Sequence, residues 1–134
     1  MNYQYKKTIA DFNLEILNME IEALCESNEF LSAKLFTIQL IIEELVTNII
    51  KYGGKKGTDK SVEIEIHTEK EKIILTISDN TDAFNPLLVE DPDVTLSAEE
   101  RNIGGLGLFL VRKKVESLVY ENSNGLNIVR TVIL

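Results

Sequence analysis

The stretch from Ser32 to Tyr52 constrains this chain more than any other part of it. Leu35, Phe36, Ile38, Leu40, Ile41, Ile42, Leu45, Val46, Ile49 and Ile50 put apolar side chains on more than one face of a helix, and such a helix has to be buried. The rest of the fold must therefore cover it. Along it, Glu44, Thr47, Asn48 and Lys51 follow an i, i+3, i+4, i+7 spacing, so one polar stripe runs down an otherwise apolar cylinder. A stripe of this kind faces either water or something polar that the protein binds. Glu43 lies about 100° round the helix from Glu44 and is read as solvated. Gly53 and Gly54 follow directly, as expected at a left-handed helix end, so the Gly-Gly-Lys-Lys-Gly run reads as a cap and loop.

What surrounds the helix follows from periodicity. Residues from about Tyr3 to Ile9 suit an edge strand, and Leu14, Leu17, Ile21 and Leu24 recur at helical spacing up to Ser27 and Asn28. Val62, Ile64 and Ile66 alternate with Glu63, Glu65 and His67, which predicts a strand with one buried and one wet face. The sole histidine, His67, falls on the wet face and is a poor candidate for chemistry. Ile73, Leu75 and Ile77 predict a second strand, joined through Glu69 to Lys72 and ending at Asp79. From Asn80 to Asn102 no period persists, and a loop of that length in a compact domain reads as a lid. Leu108, Val111, Val115 and Leu118 mark a further helix, and the chain closes on a hairpin at Asn124-Gly125, a type I′ turn signal. The order β, α, α, β, β, loop, α, β, β predicts an α+β fold. It is expected to be a two-layer sandwich, a mixed and mostly antiparallel sheet with helices on one face.

The 134 residues suit a single domain spanning 1–134. A net charge of −8 supplies no basic face for a phosphate backbone, so nucleic acid is not an expected partner. Any nucleotide would need local devices to hold its phosphates. Cys25, the only cysteine, excludes an intrachain disulfide and reads as a small buried hydrophobe. The N-terminus has no apolar signal core and no run is long enough to span a bilayer, so a cytoplasmic protein is expected.

Three constellations carry chemistry. The helix stripe offers a carboxylate base in Glu44, an amide oxygen for a hard cation in Asn48 and a phosphate-binding ammonium in Lys51, a set that suits magnesium and a nucleotide. Asp79 to Pro86 makes a turn at a strand end, where a buried Asp79 can accept a hydrogen bond from an exocyclic amine. Arg101-Asn102-Ile103-Gly104-Gly105-Leu106-Gly107 opens a helix whose free N–H groups favour an anion. It is neither a Walker A loop nor a dinucleotide fingerprint.

Together these segments resemble the GHKL, or Bergerat-fold, ATPase superfamily with its histidine kinase-like ATPase fold. Glu44 to Tyr52 looks like the N box, Asp79 to Pro86 like the first glycine box, and Ile103 to Arg112 like the second. Asp91-Pro92-Asp93 and the run from Glu100 to Gly107 look most like stand-alone anti-sigma serine/threonine kinases. The resemblance implies ATP held between helices, with Asn48 the Mg²⁺ ligand and Glu44 the general base. It further implies Lys51 at a phosphate, Asp79 on adenine, Phe84 packed near the base, and Gly104, Gly105 and Gly107 in the phosphate-binding turn. Arg101 would reach a phosphate from the lid and Thr131 would support adenine from the last strand. The implied activity is phosphorylation of a small anti-sigma-factor antagonist together with sequestration of a sigma factor; members often dimerise, which leaves a homodimer open. One position departs from the pattern. Thr81 stands where relatives carry glycine, and its branched side chain is expected to crowd the base. The alternative this raises is a catalytically inactive module of the same fold that binds ATP, or only a partner.

Overall fold

The computed structural model describes residues 1–52, 60–88 and 103–134. Strand β1 (Asn2–Thr8) leads into helix α1 (Leu14–Glu26), the short helix α2 (Glu29–Ala33) and the long helix α3 (Leu35–Tyr52). Strands β2 (Ser61–Glu69) and β3 (Lys72–Asp79) follow, then a 3-10 turn at Pro86–Leu88, helix α4 (Ile103–Lys114) and strands β4 (Ser117–Ser123) and β5 (Leu126–Ile133). The polar residues before the first two helices cap them: Asn13 accepts from the Ile16 N–H at 3.0 Å and Asn28 from the Leu31 N–H at 3.0 Å.

Three expectations need correction. The last helix, expected to run through Val115 to Leu118, ends at Lys114, and Leu118 lies in β4, where it pairs with Thr131. The helix expected from Ser32 begins earlier and in two pieces, because Asn28 caps a turn that closes at Lys34 before α3 starts. The sheet is not mixed. Among the described residues it has five strands in the order β1-β2-β3-β5-β4, and all of their pairings are antiparallel. The terminal hairpin places β5, not β4, against β3, so the chain reaches β3 from the far side and runs against it.

Alternation sets the layers. Val62, Ile64 and Ile66 on β2, Ile73, Leu75 and Ile77 on β3, and Val129 and Ile133 on β5 are buried, while their neighbours along each strand are less so. Against this face lie Leu17 and Ile21 of α1, Ile38, Ile41, Ile42 and Leu45 of α3, and Leu108 and Val111 of α4, all fully buried. Each such side chain contributes about 1.5–3 kcal/mol by leaving water. Helix α3 packs on β3, on α1 and on α4, which explains why its sequence is apolar round most of its girth. Cys25 is buried in the same core, and burial raises its thiol pKa. Among the described residues, no helix is long and apolar enough to cross a membrane.

Candidate functional site

The stripe on α3 does not form one solvent face. Thr47 and Lys51 are exposed, as is Glu43, but Glu44 is half-buried and Asn48 is only 4% exposed. Helix α4 makes the difference by crossing at this point. A Cβ built on Gly107 would overlap the carboxyl carbon of Glu44, so glycine at 107 is what lets the two helices approach with Glu44 between them. Burial pushes the Glu44 carboxyl above its ordinary range, and the charge of Glu43 adds to the rise. One turn along, the Asn48 Nδ2 is buried and has no hydrogen-bond partner among the described residues. Gly104 and Gly105 lie in the first turn of α4, so the glycines belong to the helix's own opening turns and do not precede it.

At the other end of the site, β3 finishes at Asp79, which is 4% exposed and stands between Val62 of β2 and Asn127 of β5 in the register. Its Oδ1 accepts from the Thr81 N–H at 3.0 Å, from the Thr81 hydroxyl and from the Asn127 Nδ2 at 3.0 Å. None of the described hydrogen bonds reaches Oδ2. The Thr81 side chain, expected to crowd the base, is instead bonded to the carboxylate.

The loop after Asp79 links both ends. The Asn80 side chain accepts from the Ser61 N–H at 2.8 Å, which ties the loop to the start of β2. The Phe84 ring packs against Tyr52 at the end of α3, with centroids 5.5 Å apart, and the Lys51 ammonium sits 5.1 Å from the Tyr52 ring centre. Pro86 is buried, Asn85 accepts from the Leu87 N–H at 2.9 Å, and Arg112 of α4 donates to the Leu87 carbonyl. Sheet end, α3 and α4 are thus stitched round one region by a single short segment.

The structure therefore brings Glu44 to Gly107, with Asn48 buried one turn along the same helix, and Lys51 and Phe84 to a common partner in Tyr52. It does not bring Thr131 to Asp79. Thr131 pairs with Leu75, about 13 Å farther along the sheet, and its hydroxyl donates to the Ser117 carbonyl at 2.8 Å. Arg101 lies outside the described residues, as do Gly53, Gly54, Asp91-Pro92-Asp93 and most of the expected lid. His67 is bonded to Asn2 and, at 3.0 Å, to Glu69 on the outer face of the sheet, away from the site. Sequence reasoning missed two residues. Tyr52 was visible as an aromatic one step beyond the stripe, and Asn127 as a polar side chain on the inward phase shared by Val129, Thr131 and Ile133.

The chain is 29% identical over 97 residues to the serine/threonine-protein kinase BtrW of Bordetella bronchiseptica, covering 72% of this chain and 68% of that protein. It is 28% identical over 98 residues to the serine-protein kinase RsbW of Listeria innocua, and equally to that of Listeria monocytogenes. The match spans 62% of the length of either Listeria protein. A family model for the histidine kinase-like ATPase domain matches residues 10–133, nearly the whole chain, and on that match and this fold the chain belongs to the histidine kinase-like ATPases.

Proposed function

We propose that this chain is an Mg²⁺- and ATP-dependent serine/threonine kinase of the anti-sigma type, phosphorylating a small antagonist protein and sequestering a sigma factor. The observation that carries the reading is Asn48. A buried amide with an unpartnered NH₂ costs stability, and it lies one turn from a carboxylate that burial holds above its ordinary pKa. A core position kept in that state is set aside for a ligand.

The residues present fit a magnesium nucleotide. The Asn48 oxygen is a hard donor of the kind Mg²⁺ takes, its NH₂ has hydrogens to give, and the absence of a side chain at Gly107 keeps α4 close to Glu44. When bound, Mg-ATP supplies the transferable γ-phosphoryl group and neutralises charge as it moves. Asn48 and Lys51 hold that end of the site, and the first-turn N–H groups of α4 at Gly104 and Gly105 favour the anion. Glu44 accepts the proton of the attacking serine or threonine hydroxyl. Asp79 accepts from the adenine amine, and Phe84 with Tyr52 offers a ring surface beside it.

A titration with ATP and GTP in the presence and absence of Mg²⁺ tests this. ATP is expected to bind more tightly than GTP, and Asp79→Asn to weaken ATP binding by about 1–3 kcal/mol, the cost of mispairing a buried polar group. Equal affinity for the two nucleotides, unchanged by Asp79→Asn, sinks the adenine assignment. Transfer of labelled phosphate to a serine of a co-purified antagonist tests the kinase reading itself.

A further inference from the structure

Asn127 is 2% exposed, and every polar atom of its side chain is engaged. Its Oδ1 accepts from the Phe84 N–H at 3.2 Å, the Tyr120 hydroxyl at 2.6 Å and the Asn122 Nδ2 at 3.0 Å. Its Nδ2 faces the Asp79 Oδ1 at 3.0 Å, the Asp82 carbonyl at 3.0 Å and the Thr81 carbonyl at 3.4 Å. Two hydrogens serve three acceptors, so the two shorter bonds take them and the third is a shared, weaker contact. The orientation of the amide is settled by its surroundings. Rotating it would aim NH₂ at the Phe84 N–H and its oxygen at a carboxylate and two carbonyls.

One side chain of β5 thus holds the last residue of β3 and the loop backbone at 81, 82 and 84, at a sequence distance of 48 residues from Asp79. Thr81 completes the arrangement, donating both its N–H and its hydroxyl to the same oxygen. A carboxylate oxygen receiving three donors cannot rotate without breaking them. The other oxygen is left with no described bond.

We infer that Asn127 and Thr81 form a two-residue latch on the Asp79 Oδ1, which fixes the carboxylate so that Oδ2 alone is offered to the nucleotide base. This makes Asn127 a positioning residue and Thr81 a working part of the site instead of an obstruction in it. The inference rests on the reading of Asp79 as the adenine acceptor. It predicts that removing the threonine hydroxyl harms ATP binding, whereas simple crowding predicts that it helps.

The test pairs nucleotide affinity with amide hydrogen exchange in the ligand-free protein. Thr81→Val keeps the branched shape and loses only the hydroxyl donor; Thr81→Ser keeps the donor. Asn127→Asp keeps the accepting oxygen and turns the NH₂ into a second carboxylate oxygen. Thr81→Val is expected to weaken ATP roughly fivefold to tenfold, the worth of about one ordinary hydrogen bond. GTP affinity is expected to stay unchanged, and Thr81→Ser to restore the wild-type ATP preference. Asn127→Asp is expected to speed exchange at the Thr81 and Phe84 amides and to abolish the preference for ATP. If Asn127→Asp does not fold, the Thr81 pair decides alone, because Thr81→Val leaves the Asn127 bonds in place. The latch is overturned if Thr81→Val matches Thr81→Ser and wild type while Asp79→Asn still loses its ATP preference. If wild type and Asp79→Asn have the same ATP-to-GTP ratio, the adenine reading itself fails, and the latch has no base to aim at.

Discussion

Two buried asparagines mark the two ends of the site, and they are opposites. Asn127 is 2% exposed with all its polar atoms bonded; Asn48 is 4% exposed with an Nδ2 that has no partner among the described residues. On the function proposed above, the Asp79 end is where the base binds, and it is complete before anything binds, so recognition there costs little reorganisation. The α3–α4 end is left incomplete, with a half-buried carboxylate on Glu44 and, one turn away, an amide NH₂ that has no partner among the described residues. On the same proposal, bonded recognition belongs to the sheet and the unsatisfied groups to the helices.

The comparison breaks most decisively at Glu44. If the helix end is where chemistry happens, Glu44→Gln slows phosphoryl transfer by roughly 10²–10⁴-fold, the usual worth of a general base. Mg-ATP binding is expected to be unchanged, since the amide keeps the shape. Gly107→Ala should act in the same direction, because the new Cβ would occupy the Glu44 carboxyl's place. Single-turnover rates beside Kd values separate the two effects, and a parallel loss of both would move Glu44 from catalysis to binding.

Stability distinguishes the asparagines next. Asn127→Ala strips partners from Asp79, the Phe84 N–H, Tyr120 and two loop carbonyls, and is expected to cost about 3 kcal/mol in denaturant unfolding. Asn48→Ala removes an Nδ2 that has no partner among the described residues, so its cost without ligand is expected to be well below that of Asn127→Ala. Its effect should appear on adding nucleotide, as a loss of affinity seen only with Mg²⁺ present. A large ligand-free cost at Asn48, or a metal-independent loss of binding, would erase the contrast.

Sequence made β2 and β3 legible because period-two alternation survives in them, and it made the closing hairpin legible through its turn, where both Asn124 and Gly125 are at positive φ, 53° and 78°. The polar stripe was legible as a pattern, but its division into exposed Lys51 and buried Asn48 was not. That depends on where α4 crosses, which no local pattern records. The break between α2 and α3 at Lys34 has no glycine or proline to announce it. Asn127 left a signal in its inward phase, but an asparagine two residues past a turn also reads as part of the turn. It becomes part of the site only because the strand order sets β5 beside β3 with Asn127 opposite Asp79. Thr81 showed its size in the sequence and not its bond. Whether a hydroxyl crowds a ligand or anchors a carboxylate is a matter of direction, and direction comes with the tertiary fold.

The smallest expected effect concerns the charge on Glu44. Burial first, and Glu43 second, raise its folded pKa above the unfolded value, so the folded protein binds the proton more tightly than the unfolded chain does. The resulting stability is fully present below the unfolded carboxylate pKa of about 4.3. It is lost as pH rises through the folded pKa, and at neutral pH the ionised, half-buried carboxylate is a net burden on the fold. Glutamine carries no such titration. The melting temperature of Glu44→Gln minus that of wild type is therefore expected to be smallest at acid pH, to increase across the interval between the two pKa values, and to level off above it. Solvent reaches part of the Glu44 side chain and screens the charge, so the rise should be modest. Asp79→Asn makes the contrast useful, because the Asp79 carboxylate receives three donors and its loss should destabilise at neutral pH. A Glu44→Gln difference that stayed flat with pH would mean the carboxylate is solvated in the free protein, and the helix end would lose its claim to be the strained half of the site.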